Sequence, residues 1–181
     1  MPNGSPLPSL ILVTGGARSG KSGFAERLVR SAARPLTYIA TAQAWDDEMR
    51  ERIARHRSDR GDGWHTVEAP LDLAGALGAV TAGSVLVDCA TLWLSNHLLA
   101  NNDLEDQTAR LLAALAACPV PVVVVTNEVG WGIVPDNALA RRFRDAQGRL
   151  NQRLAAQAGL AVAVIAGLPM VLKGALPGGM A

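Results

Sequence analysis

Short apolar runs alternate with amphipathic stretches along most of this chain. Leu10 to Thr14, Leu36 to Ala40, His65 to Glu68, Val85 to Asp88, Val120 to Thr126 and Leu160 to Ala166 read as strands. Between them, apolar residues recur at helical spacing over Ser22 to Ala33, Asp46 to Ser58, Leu71 to Ala79, Leu92 to Leu99, Leu104 to Ala117 and Asn137 to Ala158. Several strands, notably Val-Val-Val-Val at 122 to 125 and Val-Leu-Val at 85 to 87, are apolar at every position, so both of their faces must be covered. The pattern predicts an α/β fold: a doubly wound, mostly parallel sheet with helices on both faces. Ligands of such sheets gather at the carboxyl ends of the strands. The candidate residues are then Gly15 to Ser22, Thr41, Glu68, Asp88, Asn127, Glu128 and the stretch from Gly167 onward.

One of those strand ends carries a specific motif. Gly15-Gly16-Ala17-Arg18-Ser19-Gly20-Lys21-Ser22 is a complete G-x-x-x-x-G-K-S phosphate loop, set between an apolar strand and a helix. Its glycines let successive N–H groups turn inward onto phosphate oxygens, and the helix adds its positive N-terminal end. Lys21 then reaches the β- and γ-phosphates, and Ser22 ligates Mg²⁺. The chain has only the lysines Lys21 and Lys173 against fifteen arginines. One of the two stands where a compact ammonium is required and a broad guanidinium does not fit. The motif predicts a nucleoside triphosphate site of the P-loop NTPase kind.

Composition narrows the classes. The 181 residues, 49% of them apolar, suit a single domain over residues 1–181, with a flexible leader at 1–9 and a flexible tail at 175–181. A net charge of +1 gives no field that would gather nucleic acid or an anionic membrane. Cys89 and Cys118 lack metal-ligand spacing and read as reduced core thiols. Met1 to Ser9 has no basic residue, and the apolar run after it breaks at Thr14-Gly15, which predicts a cytoplasmic protein without membrane insertion.

Three further positions have more than one reading. Asp88 ends an apolar strand, where it either holds Mg²⁺ beside the phosphates or caps the next helix. His56 stands among the five arginines of Arg50 to Arg60, on the helix face of Met49 and Ile53; it is a packed core imidazole or a nucleophile toward phosphorus flanked by Arg55 and Arg57. Glu68 accepts from guanine N1–H and N2–H₂, joins the metal site, or is an exposed strand-end charge. His65 and His97 have no partner pattern and read as structural. The loop Glu128 to Asn137 is long enough to be functional, and Trp131 within it can touch a bulky ligand.

Together the blocks resemble one family. The phosphate loop, Tyr38 to Ala42, Asp46 to Met49 with Arg52 to Arg57, Trp64 to Glu68, Val125 to Pro135, Ala140 to Asp145 and Gly148 to Gln152 are similar, in order, to bifunctional adenosylcobinamide kinase/adenosylcobinamide-phosphate guanylyltransferases of cobalamin biosynthesis. The resemblance implies a RecA-like domain. It implies that adenosylcobinamide is phosphorylated with ATP or GTP, and that GMP from GTP is then joined to that phosphate, giving adenosylcobinamide-GDP and pyrophosphate. His56 matches the family's guanylyl-carrying histidine, and Lys21 and His56 become the catalytic pair. Gly15 to Ser22, Ala40, Thr41, Ala42, Arg57 and Glu68 are the expected nucleotide contacts, and Ser22 and Asp88 the expected Mg²⁺ ligands. A homo-oligomer, a trimer, is also implied. The sequence departs where some relatives carry a second histidine at the position of Arg55. The rival functions are a plain small-molecule kinase and a RecA-like nucleotide switch.

Overall fold

A computed structural model describes residues 7–43, 47, 50, 51 and 61–178. Seven strands form one sheet: β1 (Leu10–Gly15), β2 (Leu36–Ala40), β3 (Trp64–Glu68), β4 (Ser84–Asp88), β5 (Val122–Asn127), β6 (Leu160–Ile165) and β7 (Leu168–Lys173). Their order across the sheet is β3-β2-β4-β5-β1-β6-β7. Every neighbouring pair is parallel except β6 with β7. Five helices lie among the described residues: α1 (Lys21–Arg30), α2 (Leu73–Gly78), α3 (Ala90–Leu99), α4 (Leu104–Ala117) and α5 (Ala138–Gln157).

The all-apolar strands are apolar because they serve two cores. On one face Leu10, Leu12, Val85, Val87, Val122 and Val124 pack with residues of α2, α3, α4 and α5, including Leu77, Trp93, Leu111 and Leu150. On the other, Ile11, Val13, Leu86, Val123, Val125 and Val162 pack with Phe24, Leu28 and Val29 of α1. Successive residues of a strand point to opposite faces, so neighbouring valines feed different cores. This is the doubly wound α/β architecture that the pattern predicts.

Most elements start or end within one to three residues of the expected positions, and two differences have a clear physical cause. β5 begins at Val122 and not at Val120, because Pro119 and Pro121 cannot donate to a ladder. β7 was not expected at all. A proline inside Leu168–Lys173 argues against a central strand, but this strand is the antiparallel edge, where a missing N–H is tolerated. It is joined to β6 by a two-residue turn in which Ala166 and Gly167 have φ of 52° and 81°, the left-handed pair that matches hairpin twist. The helix expected over Asp46 to Ser58 falls mostly outside the described residues, as do Met49, Ile53, Arg55, His56 and Arg57.

Candidate functional site

The phosphate loop joins the end of β1 to the start of α1, and its shape is held from three sides. Ser19 N–H donates to Gly16 O at 3.3 Å, Gly167 N–H of the β6–β7 turn donates to Ser19 O at 2.8 Å, and Glu128 N–H donates to Gly15 O at 3.1 Å. Gly20 has φ of +89°, and a Cβ there would lie 3.2 Å from Gly167 Cα, so both its backbone angle and its surroundings call for glycine. The Lys21 side chain is buried against the loop, with Nζ donating to Gly16 O at 3.0 Å.

Helix capping separates this helix from three others. Asp72, Asp103 and Asn137 cap α2, α4 and α5 with side-chain oxygens, whereas α1 begins at Gly20 with no side-chain cap. The first-turn N–H groups and positive dipole end of α1 are therefore left for a ligand at the loop. Ser19 Oγ and Thr14 Oγ1 are buried there without a hydrogen-bond partner among the described residues, a cost that a polar ligand would relieve.

Sheet register gathers the other candidates along the same edge. Ala40 stands beside Glu68 on one side and Asp88 on the other, Asp88 beside Val125, and Asn127 beside Gly15. Tyr38 Oη donates to Asp88 Oδ2 at 3.1 Å. The helix cap alternative for Asp88 does not hold, since the N-cap of α3 is Cys89. Thr41 is fully buried, and its hydroxyl accepts from Cys89 N–H at 2.8 Å and donates to Cys89 O at 2.7 Å. Its backbone N–H donates to Asp88 O at 3.2 Å, so this side chain braces the end of β4. Ala40 and Ala42 are half-buried beside it, and Glu68 is exposed on the edge strand β3. Ala17 and Arg18 are exposed at the tip of the loop, Arg18 with φ of 56°.

Cys89 senses both charged groups of the site. Burial, then the nearby Asp88 carboxylate, push its thiol up to about 11, while Lys21 and the N–H groups of Leu92 and Thr91 pull the other way. An un-ionised, buried thiol is a poor nucleophile. In the native protein at neutral pH, Cys89 is expected to resist iodoacetamide while the partly exposed Cys118 is alkylated. Peptide mapping checks this, and Cys89 should react only after denaturation or as pH approaches about 11.

The remaining aromatic candidates divide clearly. His97 is buried, with Nε2 donating to Leu71 O at 3.1 Å and Nδ1 accepting from Asn102 Nδ2 at 2.8 Å. Burial lowers its pKa, consistent with a neutral structural ring. Trp93 is also core and donates to Leu71 O at 3.0 Å. His65 is exposed on β3. Trp131 is 81% exposed in the loop after β5.

One polar cluster behind the site, which includes the candidate Asn127, was not read as a cluster from the sequence. Thr126 Oγ1 donates to Asn151 Oδ1 at 2.7 Å, and Gln147 Nε2 donates to Thr126 Oγ1 at 2.9 Å and Asn151 Oδ1 at 2.8 Å. Asn151 Nδ2 donates to Asn127 O at 3.1 Å, and Asn127 N–H donates to Thr91 Oγ1 at 2.7 Å. A signal was available: Gln147 and Asn151 fall at i and i+4 on the stripe of Ala146, Leu150 and Leu154, where apolar residues belong.

Comparison with known proteins agrees with this geometry. Residues 11–172 match the family model for cobinamide kinase / cobinamide phosphate guanyltransferase. The bifunctional adenosylcobalamin biosynthesis protein CobP of Pseudomonas aeruginosa is 46% identical over 167 residues, covering 90% of this chain and 96% of its own. The bifunctional adenosylcobalamin biosynthesis protein CobU of Salmonella typhimurium is 45% identical over 181 residues, covering 91% of this chain and 99% of its own. Among solved structures, a prototypical ATPase from the type III secretion system of pathogenic bacteria superposes with a TM-score of 0.53 at 12% identity, over 91% of this chain and 57% of that one, a likeness of fold alone. The fold is that of the P-loop NTPases, and the chain belongs to the cobinamide kinase/cobinamide phosphate guanyltransferase family.

Proposed function

We propose that this protein phosphorylates adenosylcobinamide with a nucleoside triphosphate and then joins GMP from GTP to the new phosphate. The observation that carries this reading is the phosphate loop itself, with the Lys21 ammonium bonded across it at 3.0 Å and an uncapped helix behind it, in a chain of this family. In the first reaction the substrate hydroxyl oxygen bonds to the γ-phosphorus as the bond to the β-phosphate oxygen breaks, the nucleoside diphosphate takes that electron pair, and the hydroxyl proton passes to solvent. Little covalent chemistry is asked of the protein, so placing the phosphates and neutralising charge suffice.

The second reaction requires a leaving group of pyrophosphate without loss of GMP to water. A neutral imidazole nitrogen of His56 attacks the α-phosphorus, and the bond to the β-phosphate oxygen breaks with pyrophosphate taking the electron pair. An oxygen of adenosylcobinamide phosphate then displaces the imidazole. Arg57 neutralises charge on the transferring group, and Glu68 meets the guanine or the metal. Support for His56 and Arg57 is the sequence motif, since both lie outside the described residues. Pyrophosphate release that depends on added adenosylcobinamide phosphate tests this half; release of orthophosphate alone would leave a plain kinase or NTPase.

The oxygen donors at the sheet edge fit Mg²⁺. Ser22 lies in the first turn of α1, Asp88 closes β4, and among the described residues no group of three or more His, Cys, Asp and Glu forms a metal cage. Mg²⁺ is held in such enzymes by one or two protein oxygens, phosphates and water. When bound it would neutralise phosphate charge. Asp88→Asn keeps the volume and loses the charge, so half-maximal activity should require about tenfold more Mg²⁺. Overlapping Mg²⁺ titrations of variant and wild type would assign Asp88 to structure alone.

The assembly is read as a homotrimer acting in the cytoplasm. Trp131, Ile133, Leu168 and Leu172 expose 81%, 97%, 71% and 58% of their surfaces, which supports association. Among the described residues no helix is long and apolar enough to cross a membrane.

A further inference from the structure

We infer that Tyr38 is a positioning residue for the Mg²⁺-dependent chemistry: its phenol holds Oδ2 of Asp88 and so keeps Oδ1 available to a metal ion at the phosphates. The inference rests on the assignment of Asp88 to Mg²⁺ proposed above, and it adds a residue at the centre of β2 that the phosphate-loop motif does not include. Tyr38 is the only tyrosine of the chain, so any tyrosine signal is its own.

Sheet geometry brings the two side chains together. β2 lies beside β4, with Tyr38 opposite Leu86 and Ala40 opposite Asp88. Side chains two apart in a strand share a face, so Asp88 stands on the face of Leu86, which packs in one core with Tyr38 and with Phe24 and Leu28 of α1. That face is the one covered by the helix that Lys21 opens. From inside this core Tyr38 reaches diagonally to the strand end, and Oη donates to Asp88 Oδ2 at 3.1 Å.

The phenol is itself held from behind. Tyr38 is buried, and its ring meets Trp64 edge to face, with centroids 6.0 Å apart and planes at 84°. The Arg30 guanidinium, at the end of α1, lies 5.4 Å from the Trp64 ring centroid. Arg30, Trp64 and Tyr38 therefore form a row that ends on the carboxylate. Phenylalanine would fill the same core volume, so packing does not require the hydroxyl. A free carboxylate turns about its bonds and offers either oxygen, and a fixed donor on one of them selects the other for a metal ion. A strong O–H···O⁻ bond spans about 2.5–2.7 Å. At 3.1 Å the contact is weaker, and its loss should cost a few-fold and not the whole activity.

The test uses the full chain and α,β-methylene GTP, which cannot donate GMP. Mg²⁺ should tighten binding of this ligand, and that gain, read by calorimetric titration against EDTA, should be about threefold smaller in Tyr38→Phe than in wild type. Binding in EDTA should stay within about twofold of wild type, which also shows that the variant is folded. In an Asp88→Asn background the same substitution should reduce the gain no further, because the charge that it orients is already gone. A spectroscopic readout stands beside affinity: with tyrosine labelled by carbon-13 at Cζ, the single resonance should shift when Mg²⁺ joins the nucleotide complex of wild type and stay in place in Asp88→Asn. An unchanged gain in Tyr38→Phe, equal weakening in Mg²⁺ and in EDTA, or an undiminished effect in the Asp88→Asn background overturns the inference and leaves Tyr38 a packing residue. A gain that is absent from wild type, or that survives in full in Asp88→Asn alone, overturns the metal assignment of Asp88 and this inference with it.

Discussion

Replacing Lys21 with alanine is expected to remove both phosphoryl and guanylyl transfer, lowering kcat/KM for each by about a thousandfold or more, while the far-ultraviolet circular dichroism is unchanged. The ammonium is the compact charge of the loop, held by Gly16 O at 3.0 Å in a side chain that is only 9% exposed. Lys173, the only other lysine, donates to Ala155 O at 3.0 Å and Ala156 O at 2.8 Å near the end of α5. Lys21→Arg should fail nearly as badly, because a planar guanidinium does not enter a nest built for a point charge. Steady-state assays of both reactions check this. Normal turnover in the alanine variant would remove the loop from the chemistry.

The second large effect separates the two reactions. His56→Asn keeps polarity and much of the volume but has no imidazole nitrogen, so guanylyl transfer should fall by about three orders of magnitude or more. Phosphorylation of adenosylcobinamide should persist, since the loop and Asp88 are untouched. The covalent step also fixes the sign of a pH dependence. Only the unprotonated ring attacks, so labelling of wild type by α-labelled GTP should be full at alkaline pH and weaken as acidification protonates the imidazole. The label should be acid-labile and base-stable, and peptide mapping should find it on His56. Normal labelling of the variant, or a label on His65 or His97, would move the nucleophile elsewhere.

Most of the scaffold was legible from periodicity because the physics behind it is local. Strands buried on both faces must be apolar at every position, and the valines of 122 to 125 divide between two cores as that requires. The edge strand β7 was not legible. Pro169 and the exposed Leu168 and Leu172 give neither the alternation nor the continuity of a strand, and only pairing with β6 makes it one. Its importance to the site lies in a tertiary contact that spacing does not encode, the Gly167 N–H on Ser19 O at 2.8 Å.

The site was legible in proportion to how compactly its motif is written. Gly15 to Ser22 are contiguous, and their loop geometry follows from the sequence. Asp88 was identifiable as an acid closing a buried strand, and the structure removes its cap alternative, since Cys89 takes the cap position and Tyr38 holds one carboxylate oxygen at 3.1 Å. Thr41 shows the opposite case. Its place at a strand end marks it as a ligand contact, whereas its hydroxyl is committed to Cys89 at 2.7 Å and 2.8 Å. Gln147 went unmarked, and Asn151 entered only within the block Gly148 to Gln152, because both meet β5 from a helix more than twenty positions away, as separations of 21 and 25 residues from Thr126 imply.

The central claim is that one chain adds two phosphorus atoms to one corrinoid from two different positions of its nucleotides. Adenosylcobinamide is incubated with Mg²⁺ and GTP carrying distinct labels at the α- and γ-phosphates, and the corrinoid product is isolated by chromatography and weighed by mass spectrometry. Both labels in a single adenosylcobinamide-GDP product, with pyrophosphate released in equal amount, is the result this account predicts. GTP consumed while the corrinoid stays unmodified, or a corrinoid carrying the α-label without the γ-label, would contradict it.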